Sequence, residues 1–235
     1  MAFADFTLES VEAAFGLTTQ PGDLFPGLQP IPVPEWLRDM LRRGRQVAAL
    51  VSEKARSEIL VVPILIAVHD LTLGPLSIYS GQRLDVDPAR GLSGECDFIL
   101  ARTPAVPRLK APLATLLEAK KGDIEAGLGQ CVAQMVAARL FNERAGETVR
   151  PLFGCVTTGD DWQFLCLDSS TVTMDRVRLF IDNLGGILAA LQAIITPKSA
   201  HKADKDAEPF WGGVGVDSIG SRRTMCKRST LTDRS

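Results

Sequence analysis

The stretch Ala111-Pro-Leu-Ala-Thr-Leu-Leu-Glu118-Ala-Lys120-Lys-Gly122 decides how the chain is read. It is apolar for most of its length and ends in charge. Successive side chains of a strand point to opposite faces, so Glu118 and Lys120 share one face while Ala119 and Lys121 share the other. A carboxylate and an ammonium therefore close a strand whose upstream part reads as buried. Burial of charge is costly unless the charge is paired or binds a metal ion.

Outward from this strand, the pattern predicts an antiparallel meander followed by a helix. Ile78–Val86 and Gly94–Arg102 are the two preceding strands, with a turn at 87–91 and with Pro104 and Pro107 before the third, Leu113–Lys120. Asp123 caps a helix running to about Glu143. Its apolar stripe is Ile124, Leu128, Cys131, Val132, Met135 and Val136. Gly127, Gln130, Gln134 and Ala138 form a smaller face beside it. Gly127 and Gly129 are costly inside a helix and predict close packing on the sheet or approach by a substrate. Pro151–Thr158 and Trp162–Leu167 read as two further strands joined by Thr158-Gly-Asp-Asp161. The intervening helix makes the third and fourth strands parallel neighbours. A last helix is expected from Thr173 or Asp175 to before Pro197.

Upstream, Pro34-Glu35 opens a long helix whose stripe (Leu37, Met40, Leu41, Val47, Ala48, Val51, Ala55) continues to Ile59 and Val62, with a kink at Pro63. Residues 1–34 read as a lead-in segment wrapping the surface, with a short helix over Thr7–Phe15 ended by Gly16. Residues 35–197 form one domain, and 198–235 read as a disordered tail. The fold class is α/β, a three-layer α/β/α sandwich around a mixed sheet.

The chain has 235 residues, a formal net charge of −2 and 46% hydrophobic residues, which suits one domain with a sizeable core. That charge excludes a global basic field, so contact with nucleic acid must use a local patch. Arg42, Arg43 and Arg45 are one such patch, or a solvated helix face. Five cysteines without a C-x-x-C pair, and only two histidines, argue against a zinc site. The longest apolar run, Ile59–Val68, is about ten residues and too short to span a membrane. Met1-Ala-Phe-Ala-Asp5 has no basic n-region, so a cytoplasmic protein is expected.

Asp97 joins Glu118 and Lys120 as the third residue of interest. Neighbouring strands lie about 5 Å apart, so carboxylates on adjacent strands can converge on one hard cation. Asp97 followed by Glu118-Ala-Lys120 resembles the Asp…Glu-x-Lys signature of the PD-(D/E)XK, or restriction-endonuclease-like, nuclease superfamily. Gly91-Leu-Ser-Gly-Glu-Cys-Asp-Phe-Ile-Leu100, Glu118-Ala-Lys-Lys121, Gly127-Leu-Gly-Gln-Cys131 and Val156-Thr-Thr-Gly-Asp-Asp-Trp-Gln-Phe164 resemble an uncharacterised bacterial group, common in cyanobacteria, within it. The order of elements over residues 35–195 agrees.

The resemblance implies a magnesium- (or manganese-) dependent nuclease acting on phosphodiester bonds, with DNA as the nucleic-acid partner. It makes Asp97 and Glu118 metal ligands, Lys120 the catalytic lysine and Ala119 a carbonyl ligand. Glu58 falls where many members carry a helix glutamate near the metal, and Gln130 where a polar residue faces the site. The proline of the superfamily name is absent, since Cys96 precedes Asp97. A domain of this size is expected to need a partner or to act as a homodimer. Two other classes compete: a catalytically inactive binding or regulatory module of the same fold, and a structural protein whose Glu118 and Lys120 form only a surface pair.

Overall fold

The computed structural model describes residues 1–148 and 150–196, which belong to one compact unit. The expected tail, with Phe210-Trp211, lies outside the described residues.

An eight-stranded mixed sheet forms the centre. Its strands are β1 (Thr18–Gly22), β2 (Ser77–Arg83), β3 (Glu95–Ala101), β4 (Leu113–Ala119), β5 (Leu152–Thr157), β6 (Asp161–Asp168), β7 (Thr171–Asp175) and the short β8 (Leu179–Phe180). The order is β1-β7-β6-β5-β4-β3-β2, and β8 pairs with β6. The expected meander is present, since β2–β3 and β3–β4 are antiparallel. The parallel pair separated by a helix is also present, as β4–β5.

Helices cover both faces. Leu116 of β4 joins one core with α1 (Leu8–Phe15) and α5 (Glu125–Arg144). Its neighbour Leu117 joins the opposite core, with α2 (Glu35–Val47), α4 (Val62–Leu71) and α6 (Leu184–Ile195). Alternation along one strand thus feeds two separate cores, as a three-layer arrangement requires.

The first 34 residues do more than wrap the surface. Phe3, Phe6 and Val11 are buried against α5, and β1 pairs in parallel with β7 at the sheet edge. Thr7 caps α1 by accepting from Ser10 N, and Gly16 ends it with a φ of 63°, a conformation that favours glycine.

The long helix expected from Glu35 to the kink at Pro63 is broken. Ala48 is extended, and Ser52 caps a new helix by accepting from Ala55 N. This second helix runs as α3 (Glu53–Arg56), a π-helical stretch (Ser57–Val61) and α4. The wide turn precedes Pro63, whose ring and missing N–H disrupt an ordinary helical ladder. The last helix starts later than Thr173. Thr171-Val-Thr173, rich in β-branched residues, instead turns back at Ser169 (φ 53°) to form β7 against β6. Asn183 caps α6.

Candidate active site

The charged end of β4 is buried beneath α5. Glu118 is 3% exposed. Its Oε1 accepts from Lys120 Nζ at 2.8 Å, and its Oε2 accepts from Gln134 Nε2 at 2.8 Å. Lys120 Nζ also donates to Gln130 Oε1 at 3.1 Å. Four side chains therefore form one chain, Gln134–Glu118–Lys120–Gln130. The match is geometric: strand residues two apart and helix residues four apart are both separated by about 6–7 Å.

Asp97 reaches the same place by a different route from shared-face alternation. The β3–β4 ladder runs to Phe98 opposite Leu117. Beyond it, Asp97 Oδ2 accepts the Ala119 backbone N–H at 2.7 Å. The carboxylate thus takes over a strand amide where the pairing of the two backbones ends.

Electrostatics tie these groups together. Burial raises the Asp97 carboxyl above its ordinary value, partly offset by the Ala119 N–H and the Lys120 charge. Burial and then the Asp97 charge push Glu118 up to about 7, despite the lowering effects of Lys120 and Gln134. Desolvation pulls Lys120 down, but Glu118 outweighs it, so its ammonium is held above the usual lysine value. Two carboxylates here share one ammonium, and the cluster is short of positive charge.

The tight floor of the site explains Gly127. A Cβ there would lie 2.7 Å from Val156 Cγ1 and 3.1 Å from Lys120 Cε. Gly129 meets the lead-in segment instead, since a Cβ would lie 2.4 Å from Phe6 O. The close packing read from these two glycines is present, against the sheet for one and the N-terminal chain for the other.

Of the other expected site residues, Gln130 joins the cluster and Glu58 does not. The Glu58 side chain is 59% exposed and pairs with Lys54 at 3.9 Å. It lies within the π-helical stretch Ser57–Val61. Glu53, in the first turn of α3, is the acid on this side whose charge acts on both Asp97 and Lys120. Its signal in the sequence is Ser52-Glu53, a cap followed by an acid, which marks a helix start. Gln134, on the smaller face beside the apolar stripe, is fully buried against Glu118.

The arginine patch is partly consumed within the fold. Arg42 pairs with Asp39, and Arg45 pairs with Asp160. Arg56 also donates to Asp160 Oδ2 at 2.7 Å and to Thr158 O at 2.9 Å.

Among the described residues, no group of three or more His, Cys, Asp or Glu side chains is placed to hold a metal ion. No helix there is long and apolar enough to cross a membrane. Cys96, Cys131 and Cys155 are buried, and burial raises each thiol well above its ordinary value. These three are inert packing groups and not nucleophiles. A scan against protein-family models finds no match, and no curated protein matches the chain.

Proposed function

We propose that this chain is a restriction-endonuclease-like, metal-dependent nuclease that hydrolyses phosphodiester bonds, with DNA as its substrate. One observation carries the reading: two desolvated carboxylates, Asp97 and Glu118, act on each other at a strand end where a single ammonium, Lys120, is paired with Glu118. A structural ion pair would not require the second acid. The shortage of positive charge is the condition that a divalent cation relieves, so the donor set fits magnesium or manganese.

Asp97 and Glu118 would hold the ion, with the Ala119 carbonyl and water completing an oxygen shell. A bound cation supplies Lewis-acid chemistry, activating water and offsetting phosphate charge. Lys120 remains an ammonium, so it acts by donation and charge and not as a base. It orients the attacking water and stabilises negative charge developing on the phosphoryl oxygens. Gln130 holds its Nζ in place. The water oxygen bonds to phosphorus and releases a proton to solvent, one ester P–O bond breaks, and the leaving alkoxide takes up a proton from solvent. Glu53 adds a negative charge at the rim, beside both Asp97 and Lys120.

The test is cleavage of linear, supercoiled and single-stranded DNA, and of RNA, with magnesium or manganese. Wild type is expected to cut DNA, and Lys120→Ala is expected to lose at least about a hundredfold in rate. Equal activity in wild type, Lys120→Ala and Asp97→Ala would reveal a contaminant and overturn catalysis. Metal binding without cleavage of any substrate would leave the inactive binding module of the same fold.

A further inference from the structure

Gln134 sits in an apolar run, Cys131-Val-Ala-Gln134-Met-Val-Ala-Ala138, and is 0% exposed. Its Nε2 donates to Glu118 Oε2 at 2.8 Å. Its Oε1 is buried with no hydrogen-bond partner among the described residues. A buried amide oxygen without a partner costs free energy, and an apolar side chain of the same size avoids that cost. As a packing residue, Gln134 is therefore a poor choice. Among the described residues, its one polar contact is with the carboxylate of the candidate metal centre.

The two oxygens of Glu118 are held differently. Oε1 faces the Lys120 ammonium, which ends a flexible stem and has Gln130 as a second partner. Oε2 faces an amide on a helix packed between the sheet and the N-terminal segment. An incoming cation can compete with the lysine for Oε1, whereas the Gln134 amide stays fixed. The amide also presents an N–H to the carboxylate, which matches an oxygen carrying negative charge.

We infer that Gln134 is a positioning residue that fixes the Glu118 carboxylate through Oε2 and leaves Oε1 as the oxygen exchanged between Lys120 and a divalent cation. The inference rests on the metal-site reading above and names a determinant of metal affinity outside the ligand set. Partners of this kind typically contribute a tenfold to hundredfold change in affinity.

The experiment uses the full chain stripped of metal with a chelator. Manganese is titrated by calorimetry into wild type, Gln134→Met and Gln134→Leu, and each protein is melted without metal. The expected result is manganese binding weakened roughly tenfold or more in both variants. Their metal-free melting temperatures should change little, because losing the partnerless oxygen offsets leaving Glu118 Oε2 without its amide donor. A purely structural glutamine would instead give unchanged affinity and a clearly lower melting temperature. Manganese affinity within about twofold of wild type would overturn the inference and leave the nuclease reading intact. Affinity that falls only together with the metal-free melting temperature, in both variants, makes Gln134 a packing residue and also overturns it. Folded wild type that binds no manganese would overturn the metal-site reading and this inference together.

Discussion

Two charge clusters flank the end of β5, and they solve the same problem in opposite ways. Thr157 O accepts the Lys120 backbone N–H, while Thr158 O accepts the Arg56 guanidinium. At the first cluster, a buried carboxylate, Glu118, and a half-buried one, Asp97, are served by one ammonium, and both carboxyls are raised. At the second, one carboxylate, Asp160, is shared by Arg45 and Arg56. Burial pushes Asp160 up, but the two guanidiniums outweigh it, and the carboxyl is held below its ordinary value. The turn that joins β5 to β6 is thereby tied to α2 and α3. A cluster built for stability supplies more positive charge than it needs. The cluster at Glu118 supplies less, and that imbalance marks a site that is completed by something else.

The contrast is broken most directly by activity. Asp97→Asn should lower the metal-dependent cleavage rate by about a thousandfold, while Asp160→Asn should leave it within about threefold. Comparable losses in the two variants would show that the clusters are one functional unit.

Stability against pH gives the next largest effect. In metal-free protein, Glu118 titrates near 7 when folded and near 4.5 when unfolded. The unfolded chain releases its proton first as pH rises, so this group favours the fold fully below pH 4.5. The favourable contribution declines between 4.5 and 7 and is gone above. Glu118→Gln should remove this slope and raise stability at pH 8, by on the order of 3 kcal/mol. Thermal melts from pH 4 to 8 check it, and a slope unchanged in the variant would assign the titration elsewhere.

Asp160 has the opposite sign. Its carboxyl is lowered, so its contribution is present above about pH 4 and is lost as pH falls through its folded value. Asp160→Ala should destabilise the chain by roughly 1–2 kcal/mol at neutral pH, modest because the pairs are partly exposed. Urea unfolding measures this, and a stabilised variant would contradict the role of the cluster. The smallest effect belongs to Glu58→Ala. Its exposed pair with Lys54 predicts a change within about 0.5 kcal/mol and activity within about twofold, by the same melts and cleavage assay. A large loss of activity would return Glu58 to the site.

The legible parts were those with a strong local period. The antiparallel meander, the parallel β4–β5 pair and α5 followed from alternation, from turn residues and from a helical stripe. Lys120, Glu118 and Gln130 were readable because spacings of two on a strand and four on a helix repeat at about the same distance. Three features were not legible. The break at Ala48 and the π-helical stretch before Pro63 interrupt the long helix, and Glu58 within that stretch is exposed and paired with Lys54. The helix start expected at Thr173 or Asp175 falls inside or at the end of β7, because the pairing of this β-branched stretch with β6 is a tertiary contact. The first 34 residues looked like punctuation, yet Phe3, Phe6 and Val11 are buried against α5.

What the sequence determined by itself was the chemistry available at one strand end: a carboxylate and an ammonium in register, with a second acid one strand away. Local rules suffice for that, because side-chain direction along a strand is set by the backbone. The tertiary structure alone decided how charged that place is. Packing α5 on the sheet removes water from Glu118 and Gln134, and ending the β3–β4 ladder at Phe98 brings Asp97 onto the Ala119 amide. Desolvation depends on every layer packed above a group. No spacing along the chain encodes it, and it is what separates the Glu118 cluster from an ordinary ion pair.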